Sequence, residues 1–429
     1  PIFEPFATGR IARARLEPQP DDAVPRFAYE NHVRTLIEER HWPNSTVDIS
    51  ELRLVIDYQR QNGADRTLTL DIVDYPGEWL LDLPLLNKGF EQWSAESLAL
   101  SREPLRASLA APWHAHLGTL VAEAPADEQA ALTAARLFTD YLRACRDERF
   151  AMSLLPPGRF LMPGNLADTP ALTFAPLDVP IDGTAPEGSL WAMMVRRYEA
   201  YKDVVVRPFF RDHFSRLDRQ IVLVDALSAF NAGPEALVDL EAALAGILDC
   251  FRIGRSTFLS TLFRPRIDRI LFAATKADHL HHSSHDRLEA VLRRIVGRAA
   301  ARAEDTGAEI DVVALAAVRA TREAQVARGR DKLPSILGTP AAGEMANGEA
   351  FDGNTEVATF PGDLPADPEE LFKGEAAFRG LSSASAEKSD FRFLRFRPPL
   401  LERDGSDAPA LPHIRLDRAL QFLIGDRLQ

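Results

Sequence analysis

The sequence predicts an α/β fold with a mostly parallel sheet and a large helical insertion. Three short apolar runs, Gln220–Asp225, Ile267–Thr275 and Ile310–Leu315, alternate with helical patterns. Parallel strands joined by helical crossovers give this alternation. Before them, Ala131–Cys145 and Trp191–Phe214 repeat apolar residues three and four positions apart, which is typical of amphipathic helices.

A β-hairpin is the clearest local element before the helical region. Leu52–Tyr58 and Leu68–Ile72 alternate apolar with other residues, and Asn62-Gly63 lies between them as a turn. The second strand leads directly into Asp74-Tyr75-Pro76-Gly77. This loop therefore lies at the carboxyl end of a strand, where α/β folds bind their ligands, and we expect ligand-binding residues in it.

The pattern predicts five segments. These are an N-terminal part of the nucleotide-binding domain (1–83), the helical insertion (84–217), the remainder of the sheet (218–321), a loop-rich second insertion (322–399) and a C-terminal helix that packs on the sheet (400–429).

Composition and charge narrow the class of protein. Of the 429 residues, 46% are hydrophobic and 26% charged, which excludes a mostly disordered chain. A net charge of −13 argues against nucleic-acid binding. Apolar runs such as Val312–Val318 are too short to cross a bilayer, and the two cysteines suit a reducing compartment. We expect a cytoplasmic protein that is not transmembrane and has no nucleic-acid partner.

Asp74 and Gly77 have the residue types of a phosphate site. A carboxylate that ends a strand can hold Mg²⁺, directly or through water, and a glycine amide can approach a terminal phosphate. An isolated Asp-x-x-Gly is also an everyday turn, and this alternative stays open.

Two later loops have the residue types of a guanine site. A carboxylate at Asp278 can accept hydrogen bonds from both N1–H and the 2-amino group of guanine, and adenine offers no such pair. The Lys276 stem can lie along the purine, and the backbone amides of Ala316-Ala317 can meet the base oxygen. Taken singly, each loop also fits an ordinary solvated turn. Their order after the Asp74 loop is that of a guanine-nucleotide domain.

These motifs lie in stretches that resemble the YcjX family of bacterial P-loop stress proteins, distant relatives of GTPases. The resemblance spans most of the chain. It is carried by WPNSTVDISELRL (Trp42–Leu54), VDYPGEWLLDLPLL (Val73–Leu86), VLVDALSAFNAG (Val222–Gly233), ATKADHL (Ala274–Leu280), ALAAVRAT (Ala314–Thr321) and LPHIRLDRALQFLIGD (Leu411–Asp426).

The resemblance implies a P-loop GTPase-like fold and a role for each motif. Asp74 and Gly77 correspond to the loop that senses Mg²⁺ and the γ-phosphate. Thr46 is the expected metal-sensing hydroxyl, with Ser45 as the neighbouring alternative. Glu78 follows Gly77, where many GTPases carry a glutamine that orients the attacking water. The negative charge of a glutamate is repelled by the phosphates unless the glutamate is paired with a cation. We therefore expect slow hydrolysis.

The same resemblance implies which residues recognise the base and which ligands the protein binds. Thr275, Lys276 and Asp278 match the guanine-reading motif, with threonine in place of the usual first asparagine. Ala316 and Ala317 are the expected amide donors to the base. The implied ligands are GTP or GDP and Mg²⁺.

The phosphate-binding motif G-x-x-x-x-G-K-[ST] does not occur in the 429 residues. Gly254-Arg255-Ser256-Thr257 is the nearest match, and it lacks the first glycine and the lysine. In the family this loop precedes the first residues of this sequence. Without its amides and lysine, we expect residues 1–429 to bind nucleotide poorly.

Two main functions remain open at this stage, beside a lesser third, an adenine-nucleotide enzyme, which the carboxylate of Asp278 disfavours. The first is a guanine-nucleotide switch in the stress response, with a second stress protein as partner. The inner membrane is one location open to that partner. The alternative is a scaffold that keeps the GTPase-like fold with its nucleotide locked in place, or with none.

A histidine cluster beside Asp278 is a weaker signal. His279, His281, His282 and His285 have a spacing that could hold a transition metal. Alternatively, these histidines are solvated side chains at the start of a helix, or they contact the edge of the nucleotide.

Overall fold

The structure is a computed structural model. It describes residues 2–167, 169–250, 267–304, 308–328, 331–346, 349–373, 393–401 and 411–429. The Gly254–Thr257 stretch lies outside these ranges.

Strands and helices alternate along the chain. The strands are β1 (Ile11–Glu17), β2 (Ser50–Gln59), β3 (Asp65–Asp74), β4 (Arg219–Val224), β5 (Arg269–Ala274), β6 (Glu309–Ala314), β7 (Arg322–Arg328), β8 (Asp331–Gly338), β9 (Met345–Ala346), β10 (Glu349–Ala350) and β11 (Val357–Thr359). The α-helices are α1 (Glu4–Ala7), α2 (Tyr29–Arg34), α3 (Phe90–Ser101), α4 (Pro104–Leu117), α5 (Glu128–Arg146), α6 (Leu190–Tyr201), α7 (Arg207–Asp212), α8 (Ala226–Ala232), α9 (Pro234–Asp249), α10 (His285–Glu304) and α11 (Leu416–Ile424).

Shorter helical segments connect these elements. The 3-10 segments are Gly77–Asn87, Gly158–Phe160, Gly164–Leu166, Pro170–Leu172, Phe214–Arg216, Ala277–His279, His282–Ser284, Pro368–Phe372 and Gly425–Leu428. Two π-helical turns, Thr35–Glu39 and Lys202–Val206, continue α2 and α6.

The predicted parallel sheet is confirmed as β4-β5-β6. Val222 pairs with Phe272, which pairs with Val312, and both ladders are parallel. The central strand is almost fully buried, because α9 and α10 pack on one face while α11 packs against Leu271 and Val313 on the other. A strand covered on both faces has to be apolar throughout, and this is why β5 reads as a continuous apolar run. The chain is therefore a mixed α/β protein with a parallel sheet.

The predicted hairpin is confirmed as β2-β3. Leu54 pairs with Leu70 in an antiparallel ladder, and β1 adds a third strand beside β2. Gly63 has a φ of +83° in the turn, a backbone conformation that glycine adopts without strain. The ladder ends with Ser50 opposite Asp74, so it holds Asp74 at the end of its strand.

Every named element that the structure describes between residues 84 and 217 is helical. Large aromatic side chains fill this region, among them Trp93, Trp113 and Phe138. These residues belong to the same apolar cluster as Val222 of β4 and Ile270 of β5. The helical region therefore shares one continuous core with the parallel sheet.

The loop-like prediction for the segment after Thr321 was wrong for residues 322–328 and 331–338. These residues form β7 and β8, which pair antiparallel, and β11 pairs with the other side of β8. Residues 322–327 of β7 are exposed apart from the half-buried Ala324. A strand exposed on both faces needs no apolar alternation, so it gives no periodic signal.

One further observation concerns membranes. Among the described residues, no helix is both long enough and apolar enough to span a bilayer.

Candidate nucleotide site

Two of the three predicted loops leave the same edge of the parallel sheet, together with the loop at Asp225. Asp225 follows β4, Thr275-Lys276 follows β5, and Leu315-Ala316 follows β6. Because the strands are parallel and in register, their carboxyl ends meet at one edge. Thr275 continues the strand contact, since its amide donates to the Val224 carbonyl at 3.0 Å.

Lys276 is held by Asp225 across the edge. The Lys276 ammonium donates to Asp225 Oδ2 at 2.7 Å, and Ser228 donates its amide and hydroxyl to the same carboxylate at the start of α8. Burial favours a raised pKa for Asp225, but Lys276 and Ser228 outweigh it and the pKa lies below its ordinary value. Lys276 has a φ of +60°, an uncommon value for a residue with a side chain. The loop therefore presents the lysine stem in a fixed orientation.

Asp278 is 4% exposed and is positioned by the loop after β6. Its Oδ2 accepts the Ala320 amide at 2.8 Å, and its carbonyl accepts the Thr321 hydroxyl. Within the described part of the chain, its second carboxylate oxygen accepts no hydrogen bond. One oxygen thus fixes the side chain and the other is left for a ligand.

The amide of Ala316 is not free to meet a base in this structure. It donates to the Ile414 carbonyl at 3.1 Å, and the Ile414 amide returns a bond of 2.8 Å. The amide that lies against Asp278 belongs to Ala320. Of the two predicted amide donors, Ala317 is the one without this backbone pairing.

The hairpin brings two other predicted residues together. Thr46 donates its hydroxyl to Asp74 Oδ2 at 2.7 Å. Asp74 ends β3, and Thr46 lies in the loop that precedes β2. The pair therefore offers two adjacent oxygen atoms, which is the ligand type that Mg²⁺ prefers.

Gly77 and Glu78 open the 3-10 segment that follows Asp74. A Cβ at Gly77 would meet nothing within 4 Å, so the backbone there is open on that side. Glu78 forms an ion pair with Arg146, the last residue of α5. The backbone of Gly158 packs so closely on Glu78 that a Cβ at Gly158 would lie 1.8 Å from the Glu78 carbonyl oxygen. The helical region therefore contacts both the side chain and the backbone of Glu78.

A buried carboxyl extends this contact. Asp82 accepts the Gly158 amide at 2.7 Å, the Arg159 amide at 3.3 Å and the Tyr201 hydroxyl at 2.7 Å. Its burial raises the pKa to about 6. Arg159 lies over Trp79, with its guanidinium carbon 3.1 Å from the ring centroid, and burial lowers the pKa of Arg159.

Six of the predicted residues, together with Asp225, thus form two groups. We call Asp225, Lys276 and Asp278 the strand-end group, and Thr46, Asp74, Gly77 and Glu78 the hairpin-end group. No hydrogen bond or ion pair joins the two groups within the described ranges. Next to Asp74, the Tyr75 hydroxyl accepts a hydrogen bond of 3.0 Å from Gln220, which lies at the amino end of β4, away from Asp225.

The histidine cluster separates into buried and exposed members. His279 packs edge-on against Phe396, and His285 contacts the Leu280 carbonyl. His281, His282 and Glu323 each bring one possible ligand atom within 4.8 Å of the others. His282 already bonds Glu323 at 2.9 Å, so this group is satisfied without a metal ion.

Sequence reasoning missed three residues. Asp225 carries a local signal, because an acid at a strand end with serine three positions later is typical of a helix cap. Arg146 and Gly158 carry none, since each meets Glu78 only through the tertiary fold.

Comparison with known proteins now decides the family. The YcjX-like family, DUF463, matches residues 1–428. The chain belongs to this family. The protein named "Ras-like GTPase YcjX" of Escherichia coli strain K12 is 35% identical over 442 residues, covering 100% of this chain and 89% of that relative. Its namesake of Shewanella oneidensis strain MR-1 is 33% identical over 445 residues, covering 100% of this chain and 86% of the relative.

Membership of the YcjX-like family confirms the resemblance that the motif stretches indicated. The match extends across both groups and the helical region between them. Both named relatives cover the whole chain, so the helical region belongs to the aligned length and is not an addition to it.

Proposed function

We propose that the full-length protein binds guanine nucleotide, hydrolyses GTP slowly with Mg²⁺ and acts as a stress-related switch in the cytoplasm. The observation that carries the proposal is Asp278. It is buried and fixed by the Ala320 amide, and its second oxygen is left for the two donors of guanine. The printed names of the two relatives, both called Ras-like GTPase, support the same activity.

The strand-end group would read the base. Asp278 accepts N1–H and the 2-amino group, and the Lys276 stem, held by Asp225, lies along the purine face. Ala317 is the proposed amide donor to the base oxygen, and Thr275 holds the loop to β4.

Asp74 and Thr46 fit the proposed Mg²⁺, because they offer a carboxylate and a hydroxyl in contact. The ion, when bound, neutralises charge that develops on the phosphates. Asp74 and Thr46 would hold it, and the Gly77 amide would face the terminal phosphate. Water attacks the γ-phosphate in line, which leaves GDP and phosphate, and the loops around Thr46 and Gly77 reorder.

Glu78 is the proposed water-positioning residue. Its carboxylate can accept a hydrogen bond from the attacking water, and its pairing with Arg146 reduces repulsion from the phosphates. A residue already held in an ion pair is less free to align water, so we expect slow turnover.

A scaffold with a locked nucleotide, or with none, is the second candidate. The pairing of Glu78 with Arg146 favours it, because that contact keeps the candidate catalytic carboxylate in a structural role. A second stress-response protein would be the partner under either proposal. Sustained phosphate release separates the two, since a scaffold gives none.

The test is a titration of the full-length protein with labelled GDP and Mg²⁺, in competition with ADP and XDP. We expect GDP to bind and ADP not to displace it. Asp278→Asn replaces an acceptor with a donor, so it should lose GDP and gain XDP, whose C2 carries a carbonyl in place of the amino group.

The control is Asp182→Asn, an exposed aspartate of the helical region. It should leave all three affinities unchanged. A well-folded protein that binds no GDP, or one in which ADP competes as well as GDP, would exclude the guanine switch.

A further inference from the structure

A cavity of about 450 Å³ lies outside both groups, between the helical region and the sheet's helix α9. Its walls come from the 77–87 segment, α3, α4, α5 and α9. They include the buried side chains of Leu85, Trp93, Phe138, Tyr141 and Ile247. This volume is within the range of small-molecule sites, roughly 300–1,000 Å³.

The cavity reaches the surface along one side of α3. Glu96, Ala99 and Glu103 are exposed and also line it. A small molecule therefore has a route to the apolar interior that requires no unfolding of the core.

The basic groups at the walls are already neutralised. Arg106, 1% exposed, pairs with Asp239 and donates to the Tyr141 hydroxyl at 3.3 Å. Lys88 pairs with Glu96 at the rim, where Glu103 is exposed to solvent. An anionic ligand would find no unpaired positive charge among the described wall residues, and burying it would be costly.

Two buried donors at the walls lack an acceptor. Trp93 Nε1 and Arg106 Nε have no hydrogen-bond partner in the part of the chain that the structure describes. Both side chains line the cavity and are 1% exposed. Each nitrogen is itself buried, so a ligand oxygen reaches it only where a wall side chain shifts, and the hydrogen bond would then remove the cost of an unsatisfied donor.

We propose that this cavity is a binding site for an uncharged, largely apolar small molecule that carries a carbonyl oxygen. Its apolar part packs against Leu85, Phe138 and Ile247, and its oxygen is directed to the Trp93 and Arg106 side of the cavity. The site needs no nucleotide, so it stands apart from the function proposed above.

Benzophenone is a suitable probe, because it is uncharged, has two phenyl rings and carries one carbonyl. Saturation-transfer NMR on the full chain would measure its binding. Ultraviolet activation would cross-link it to nearby C–H bonds, and mass spectrometry should locate the adducts in α3 and α9. Diphenylmethane lacks the carbonyl and 4-benzoylbenzoate adds a carboxylate, so both should bind about tenfold more weakly.

Gly246→Leu tests the location. Gly246 lines the cavity, and a Cβ there meets nothing closer than Pro84 Cγ at 3.8 Å. The leucine should occupy the cavity and weaken benzophenone binding by about tenfold or more. Gly297→Leu is the matched control, since Gly297 is also helical and open, and it should not change binding.

Ala99→Trp is a second blocking variant on an exposed helix position, and it keeps the test valid if Gly246→Leu does not fold. The proposal is overturned if wild-type protein does not bind benzophenone, if the blocking variants bind it unchanged, or if adducts form outside the segments that line the cavity, which are 77–87, α3, α4, α5 and α9. Equal binding of diphenylmethane overturns the role of the carbonyl.

Discussion

The strand-end group and the hairpin-end group present their side chains by different means. Asp225, Lys276 and Asp278 contact one another's loops at the edge of one parallel sheet. Glu78, in contrast, is held by Arg146 and Gly158, which belong to the helical region. The strand-end group is thus built by the sheet, while the hairpin-end group depends on how the helical region packs.

Gly158→Ala should have the largest effect, because it breaks the contact on which the hairpin-end group depends. The added Cβ would overlap the Glu78 carbonyl, and backbone atoms can yield only if the segment shifts. We expect a loss of about 3 kcal/mol in the free energy of unfolding, measured by urea denaturation.

Gly118→Ala is the control for that substitution. A Cβ at Gly118, at the end of α4, meets nothing closer than 3.6 Å. Its free energy of unfolding should change by less than about 1 kcal/mol. Equal losses in the two variants would show that the close approach to Glu78 is not what constrains residue 158.

Asp82 gives the hairpin-end side a pH dependence of stability that is opposite in sign to that of Asp225 in the strand-end group. Burial raises the pKa of Asp82 to about 6, so between about pH 4 and about pH 6 the folded protein binds a proton that the unfolded chain does not. The contribution of Asp82 to the free energy of unfolding therefore rises as the pH falls from about 6 to about 4, by at most about 2–3 kcal/mol.

Asp82→Asn should remove this contribution. The free energy of unfolding of the variant, subtracted from that of wild type at each pH, should fall as the pH rises from about 4 to about 6 and then level off. Carboxylates with lowered pKa, such as Asp225, act oppositely in both proteins and cancel in the difference. A difference that does not vary with pH would contradict the raised pKa.

Asp225→Ala tests whether the strand-end group is self-contained. The variant loses the cap of α8 and the partner of Lys276, so we expect a loss of about 1–2 kcal/mol in the free energy of unfolding. Under the proposed function, GDP affinity should also fall about tenfold, because the lysine stem is no longer fixed.

Asp127→Ala is the matched variant, since Asp127 caps α5 by accepting the Gln129 and Ala130 amides and holds no lysine. It should lose similar stability and keep its GDP affinity. If both variants lost affinity alike, general destabilisation would explain the result.

The same contrast shows how much the sequence could predict. The β2-β3 hairpin and the three parallel strands followed from alternation, from apolar runs and from the Asn62-Gly63 turn, all of them local signals. The positions of Asp74 and Asp278 at strand ends followed from those strands. These features were predictable because one stretch of chain carries each of them.

The helical region's contribution could not be predicted in this way. Arg146 and Gly158 are distant from Glu78 in sequence, and neither has a local pattern that indicates the contact. Pro157-Gly158 indicates a loop, but nothing in its sequence context indicates which backbone packs against Gly158. β7 was missed because a strand exposed on both faces can carry mixed side chains.

Arg146→Ala should have the smallest effect on stability and the most specific effect on ligands. The two paired side chains are 38% and 21% exposed, so losing the ion pair should cost less than about 1 kcal/mol in unfolding free energy. An unpaired Glu78 would repel the γ-phosphate, which only GTP carries. We therefore expect GTP affinity to fall about fivefold while GDP affinity is unchanged.

Arg143→Ala, which removes a more exposed pair with Asp140 on the same helix, should change neither affinity. Equal losses for GTP and GDP would place Arg146 outside the γ-phosphate side and remove the asymmetry between the two groups.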